Sequence, residues 1–483
     1  MYHSIQYFVE NVIPQLEKNQ KNFMENPSVP GEYIKKVEQV LLEFGCHIVS
    51  ETFEECNHLL EESGKRRMNW QIKDREKKSL LTVLGPVVYT HTRFQHKATK
   101  KTSYLLDQMM GITPHTRLSE EVCEQLILEA AKSSYQKAGE SLKGEDVISR
   151  ESVMRHVHQL NFNEETMEKP KEKRQVKRLY VEADEDHIAL QFKKKKGDIK
   201  RFKGYKDNHQ IVKLIYLHEG YEGEGKRKKL KQIKYFGGLF PGKENEELWK
   251  KVKDAIERTY DTEKLEKIYF QYDGGSWMKK GVEMLGAEFV LDGFHIKKYV
   301  KKLARELGKE ESEKDIMNYL EKGERKKLEE WVKQNERGME ERKRKHVEES
   351  LSYLRKNWKG IRKRIKKEEG ILGSSTESHV SHVLSARMSS RPMGWSKKGA
   401  DKVAQLRIYW KNGGEIRELL HAPRRAEKKK EEEIRYFSAS QMISWEKQKQ
   451  KTYGKYIDRI QASVSQQTMM KVYFQKAITE ICG

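Results

Sequence analysis

The spacing of apolar residues changes character several times along the chain, and each change marks an element. Val37, Val40, Leu41 and Phe44 recur at helical spacing, so residues 1–65 read as helical. "LLTVLGPVVYTHTRFQH" (80–96) turns to β-branched and aromatic residues around Gly85-Pro86, the pattern of a hairpin that needs neighbouring helices to pack on. Three short helices are legible in 117–160. Val122, Leu126 and Ala130 form an i, i+4, i+8 row with Ser119 placed to cap it, and Ala138 and Leu142 serve a second helix that Gly144 breaks. Ser149 can cap the third, where Val153, Met154, Val157 and Leu160 face inward and Arg150, Arg155, His156, His158 and Gln159 form the outer face. Two short helices, a glycine turn and a polar, basic third helix match helix-turn-helix geometry, whose last helix enters the DNA major groove. A trihelical unit with only a structural role is the competing reading.

Residues 165–178 have almost no apolar content and read as a linker. The period then becomes strand-like at 178–192, 210–221 and 229–240, followed by a helix at 244–260 and strands at 267–272 and 287–296. That order predicts a mixed α/β sheet, with two hairpin connections and then crossover units. From 297 to 370 the sequence is dense in opposite charges with sparse Leu, Tyr and Trp at helical spacing, which suits a small helical insertion. The β/α pattern resumes at 371–422, and a charged, helix-forming tail occupies 423–483.

Charge adds a partner to this outline. The chain of 483 residues carries 97 Lys and Arg against 74 Asp and Glu, a formal net charge of +23 that favours a polyanion, nucleic acid before membrane. With only 36% hydrophobic residues, the core must be concentrated in some stretches. Four cysteines in this length argue against a disulfide framework, and Cys46-His47 and Cys56-x-His58 fit no ordinary zinc spacing. No apolar run approaches a membrane span and the N-terminus lacks a secretory leader, so a soluble intracellular protein is expected.

Against so much positive charge, a few acids stand out. Asp273 ends the buried-strand pattern of "KIYFQYDGGSW", at the C-terminal end of a strand where α/β sheets bind ligands. Asp-Gly is also a common turn dipeptide. In "RLYVEADEDHIALQF", Tyr180, Glu182 and Asp184 alternate with Leu179, Val181 and Ala183. The apolar phase slips near Asp186, so a bulge there would aim Asp184 toward the strand end; a polar turn is the plainer alternative. Two carboxylates brought together repel unless a divalent cation bridges them. The best third acid is Glu377, on a helix that Ser375 or Thr376 can cap, with Ser381, Leu384 and Met388 following on one face. Glu377 could equally be a first-turn acid serving the helix dipole. Glu368, Glu369 and Glu415 compete less well. In "SSRPMGWSKKGA", with Arg387 just before it, Arg391, Lys397 and Lys398 surround Trp395, a combination that can grip a DNA backbone and stack a base, or simply cap the core.

The four stretches "YVEAD", "DGGSW", "LDGFHIKKY" and "RMSSRPMGW", in this order, together resemble the ISLre-type insertion-sequence transposases across most of the chain. Asp292-x-x-His295 is similar to the C/D-x-x-H signature of the mutator-like superfamily. The resemblance implies a ribonuclease-H-like α/β mixed-sheet core (178–296 and 371–422) split by the helical insertion (297–370). It places an N-terminal helical and hairpin region (1–105) and a helix-turn-helix DNA-binding region (106–165) before that core, and a charged tail (423–483) after it. It implies a DDE transposase that hydrolyses phosphodiesters at element ends and transfers the 3′ hydroxyl into target DNA. Asp184, Asp273 and Glu377 would hold two Mg2+ or Mn2+ ions, with Asp292 and His295 lining or bracing the site. Partners would be duplex DNA, as terminal inverted repeats and target, and further copies of the chain in a homodimer or larger assembly. A bacterial cytoplasmic, nucleoid-associated location follows. The rival reading is a non-catalytic sequence-specific DNA-binding protein retaining this fold.

Overall fold

The computed structural model describes residues 3–142, 147–162, 172–191, 201–202, 205–206, 209–223, 229–308, 311–366, 370–421, 443–445 and 447–448. Glu368, Glu369 and nearly all of the expected 423–483 tail lie outside the described residues. The chain divides into two compact bodies, one of residues 1–129, 136–150 and 420–483, the other of 130–135 and 151–419.

In the first body a long helix, α1 (Pro30–Glu62), packs on a three-stranded antiparallel sheet of β1 (Trp70–Thr82), β2 (Gly85–His96) and β3 (Thr102–Tyr104). Leu60, Leu80, Val87, Tyr89, Phe94, Leu105 and Leu106 form its core. The expected hairpin is present, with Thr82 opposite Gly85, but its first strand begins ten residues earlier than the apolar pattern suggested. Its first ten residues are mostly exposed and charged, so they carry no alternation to read.

The helices expected in 117–160 are α2 (Glu120–Lys132), α3 (Tyr135–Glu140) and α4 (Arg150–Gln159). Val122, Leu126, Ala130, Ala138, Val153, Val157 and Leu160 are buried as the periodicity requires. Most of α2 and α3 groups with the first body, whereas nearly all of α4 belongs to the second.

The second body is a mixed α/β structure built on one five-stranded sheet. Its strands are β4 (Arg178–Ala189), β5 (His209–His218), β6 (Lys234–Gly238), β7 (Lys267–Tyr272) and β8 (Glu288–Leu291), in spatial order β6-β5-β4-β7-β8. The first three form an antiparallel meander; β7 and β8 are parallel to β4. The predicted order of hairpins followed by crossovers is thus realised. Helices α5 (Glu244–Thr259) and α6 (Ser276–Leu285) cover one face, where Leu179, Val181, Ala183, Phe270 and Tyr272 meet Trp249, Val252, Ile256 and Met278. Helix α6 lies so close to Trp249 that a Cβ at Gly281 would sit 2.6 Å from the indole.

No bulge interrupts β4, whose pairing with β5 runs unbroken from Tyr180 to Ala189. The apparent phase slip has another cause. Asp186 and Ile188 share the face of Asp184, and at this end of the strand that face is covered by chain, Ser389 bonding Asp186 and Trp395 bridging to Leu190. The insertion is helical as expected: α7 (Gly293–Leu307), α8 (Ser312–Lys322), α9 (Arg325–Asn335), α10 (Glu341–Lys356) and α11 (Trp358–Ile365) bury their own cluster around Leu303, Leu320, Leu328, Val347 and Leu354. After it come α12 (Thr376–Val380), a π-helical turn at Ser381–Ser385, and α13 (Lys397–Lys411). No helix among the described residues is long and apolar enough to cross a membrane.

Candidate active site

Parallel strands β4 and β7 set the first two acids side by side. Gln271 stands opposite Glu182, so two residues further along each strand come Asp273 and Asp184. Asp273 is the first residue after β7, and its Oδ1 accepts from the Gly275 amide at 2.8 Å. Gly274 adopts φ +93°, and a Cβ there would lie 2.5 Å from Asn357 Oδ1, so the turn requires glycine. From α10, the Tyr353 hydroxyl donates to the Asp273 carbonyl. Asp273 is therefore a turn residue in one oxygen and available for chemistry in the other.

Asp184 is the electrostatic centre. Its carboxyl is pushed up to about 7, first by burial and then by the negative charges of Asp273 and Glu377; the Glu185 amide, at 2.8 Å, and His295 pull the other way. Two of the predicted acids, Asp273 after β7 and Glu377 on α12, thus act on the third. His295 faces the same acids. Burial alone would lower its pKa, but Asp292, 3.0 Å from Nδ1, together with Asp273 and Asp184, raises it. Asp292 caps α7 by accepting from the Phe294 amide. Its own pKa is lowered because bonds from His295 and Phe294 and the Arg364 charge outweigh the burial that would raise it. These contacts tie Asp292 to His295 and to the start of α7.

Glu182, two residues before Asp184, is the acid that sequence reasoning missed as part of the site. It is fully buried and accepts from Tyr216 Oη (2.6 Å), His218 Nε2 (3.1 Å), Ser374 Oγ (2.8 Å), the Ser375 amide (3.1 Å) and Thr376 Oγ1 (2.8 Å). The Gly220 amide donates to His218 Nδ1, which fixes the tautomer that gives Nε2–H to Glu182. Burial would raise the Glu182 pKa, yet these bonds outweigh it and the carboxyl is held below its ordinary value. Ser375 and Thr376, expected to cap α12 themselves, instead anchor it to this carboxylate; Ser375 makes no side-chain cap. Glu377 is the next residue. The signal was present in "YVEAD", where Glu182 shares a face with Asp184, and in the Tyr216 and His218 pair on the adjacent strand.

Glu377 itself is exposed, and the single face expected to run on through Ser381, Leu384 and Met388 is broken. The π-helical turn advances the phase, so Leu384 and Met388 are buried while Glu377 and Ser381 are exposed.

The expected DNA-contacting residues divide into two groups. Arg155, Gln159, Arg391, Lys397 and Lys398 are exposed, as is Arg150, which groups with the first body. Trp395 is buried, with Nε1 donating to the Met388 carbonyl at 2.9 Å and its main chain paired with Ala189 and Gln191. Arg387 is buried beneath it, its guanidinium 4.8 Å from the indole and donating to the Ala130 carbonyl at 3.1 Å. Neither side chain can grip or stack DNA from there; they hold the 386–395 segment down. His156 and His158 are half-buried rather than on an outer face. His158 is turned toward α13, where burial and the charges of Lys398 and Lys402 lower its pKa, and burial and Arg155 do the same for His156.

Among the described residues no three His, Cys, Asp or Glu side chains already stand close enough to hold one ion. The donor set nevertheless suits a hard divalent cation. Magnesium takes one or two carboxylates plus water and phosphate oxygens, and Asp184 is a half-buried acid facing two further carboxylates.

A profile of one protein family, UPF0236, described as an uncharacterised protein family, matches residues 28–425. The chain belongs to the UPF0236 family. A UPF0236 protein of Caldanaerobacter subterraneus subsp. tengcongensis is 33% identical over 394 residues, covering 80% of each chain. Another from the same organism, whose name joins eleven locus labels, is 32% identical over 415 residues, covering 85% of this chain and 82% of the relative. A UPF0236 protein named for the vanSb 3′ region of Streptococcus gallolyticus is 24% identical over 402 residues, covering 79% of this chain and 84% of its own.

Proposed function

We propose that the chain is a DDE transposase of the ISLre type, cutting phosphodiesters at insertion-sequence ends and joining the freed 3′ hydroxyl to target DNA. One observation carries this reading: Asp184 on β4 is raised to about 7, first by burial and then by the negative charges of Asp273 at the end of β7 and Glu377 on α12. The sheet order, a three-stranded meander followed by two parallel crossovers and then a returning helix, supports a ribonuclease-H-like core. A name joining eleven loci of one genome fits a gene that spreads copies of itself. The exposed Arg155 and Gln159 of α4 support a helix-turn-helix contact to terminal repeats, and the net charge of +23 supports duplex binding.

Asp184 and Asp273 would hold Mg2+ or Mn2+, with Glu377 completing the set. When bound, the ions activate the attacking oxygen and stabilise the leaving one. The protein's own contributions are separate. Glu182 fixes where α12 begins and so where Glu377 stands. Asp292 orients His295 toward the acids, and Gly274 lets the Asp273 turn close against Asn357.

The test is cleavage and strand transfer on DNA carrying the parent element's terminal repeats, with and without Mg2+ or Mn2+. Metal-dependent nicking at the repeat ends is expected. A chain that binds the repeats but never cuts them would overturn the enzymatic reading in favour of a DNA-binding protein on this fold.

A further inference from the structure

The border of the acid cluster carries an aromatic ring that no packing requires. Phe294 is 54% exposed, lies between Asp292 and His295, and has its ring centroid 5.4 Å from that of His295. His295 in turn is 3.0 Å from Asp292 and within electrostatic reach of Asp184 and Asp273. Trp395 and Trp277, the other aromatic candidates near these motifs, are committed: Trp395 is buried, and Trp277 donates to Glu185 at 2.6 Å and stacks on Trp249.

Phe294 also heads a stripe. Lys297, Lys298 and Lys301 follow it at i+3, i+4 and i+7 and are exposed, while Ile296, Val300, Leu303 and Leu307 bury the opposite side of α7. Some cations of the helical insertion are matched by acids, as Lys302 is by Glu349, Lys327 by Glu324 and Arg325 by Glu329. Among the described residues Lys297, Lys298 and Lys301 make no ion pair. The stripe from Phe294 to Lys301 is about 10 Å long, about three steps of a stacked strand at about 3.4 Å each.

We propose that this face of α7 is the track for a single-stranded DNA end, with Phe294 stacking the terminal base and Lys297, Lys298 and Lys301 holding the phosphates behind it. A sequence-tolerant site of this kind pairs a π-face with a cationic row, which is what α7 presents. The assignment rests on the DNA-processing reading above and specifies which strand end the acids would meet.

The full chain carrying Asp273→Asn is used, so that no cleavage consumes the probe, with a short oligonucleotide ending in 2-aminopurine at its 3′ base. Binding should quench the fluorophore. Phe294→Ala should abolish the quench and weaken binding by about tenfold, whereas Phe294→Trp should retain both. Changing Lys297, Lys298 and Lys301 to Gln together should leave the quench at saturation but flatten the slope of log K against log salt by about 2. An unchanged quench in Phe294→Ala, or no binding of the oligonucleotide at all, overturns the track. Cleavage of repeat DNA by the wild type reports separately on the transposase reading. A cutting wild type with an unchanged Phe294→Ala quench removes the track alone, and a quenching chain that never cuts removes the transposase alone.

Discussion

Glu182 and Asp184 share a strand, a face and a chemical class, yet their surroundings drive them in opposite directions. Five donors converge on Glu182 and hold its carboxyl below the ordinary range, whereas Asp184 has the Glu185 amide, two neighbouring negative charges and a pKa near 7. A buried acid that is fully satisfied is architecture; a buried acid left with like charges is unfinished until a ligand arrives. Two residues on one strand separate what holds the site from what the site does.

The sharpest way to break that contrast is to remove charge on the unfinished side. Asp273→Asn preserves the turn, since Asn can accept from Gly275 as Asp does, but metal-supported cleavage should fall by about a thousandfold or more. A mutant as active as the wild type in the strand-transfer assay would return Asp273 to a turn residue. On the finished side, Glu182→Leu strands Tyr216, His218, Ser374 and Thr376 around an apolar side chain. Urea unfolding should show a loss of about 3–5 kcal/mol. Because the folded pKa of Glu182 is lowered, its stabilisation is present above the unfolded value and lost as pH falls through the folded one. Wild-type stability should therefore drop on acidification more steeply than that of Glu182→Gln.

Asp184 has the opposite sign. Its folded pKa is raised, so the neutral acid is favoured at low pH and the cost of charging it appears as pH rises from about 4 through about 7. Without divalent metal, Asp184→Asn should stabilise the protein on the order of 2 kcal/mol at pH 8 and hardly at all at pH 4. Equal melting temperatures for mutant and wild type at pH 8 would mean that Asp184 is not the strained member. The smallest effect is expected from Ser374→Ala, which removes one of five donors. It should cost about 1 kcal/mol by thermal denaturation and leave the remaining four bonds to hold α12.

The sheet was legible because its strands are short apolar, β-branched and aromatic runs bounded by polar or glycine-containing connections. The helical insertion was legible because its apolar spacing is helical throughout. Asp273 and Glu377 could be picked out because each sits at the end of an element that the pattern locates, and Asp184 because it is an acid inside an apolar strand. Glu182 could be placed on a face but not recognised as an anchor, since Ser374 and Thr376 are 192 and 194 residues away and no local period connects them. For Trp395 the sequence left a DNA-gripping patch and a core cap open because a short loop has no period, and tertiary packing decides for the core cap, with Arg387 buried beneath it. The π-helical turn after α12 was likewise invisible, because the same residues fit an uninterrupted helix until packing selects the extra residue.

The separation between Glu182 and Thr376 has a consequence on the ribosome. At about 5–20 residues per second, 194 residues of further synthesis take roughly 10–40 s, and throughout that interval β4 exists without the segment that closes over it. The helical insertion, with its own apolar cluster, emerges within that interval. Completion of the acid trio is therefore expected to be a late event in biogenesis, which under the proposed function would keep a nascent chain from nicking DNA. Chains stalled after residue 366 should show protease protection of the insertion and no metal-dependent nicking. Nicking by such stalled chains would show that Glu377 is dispensable and that no such delay exists.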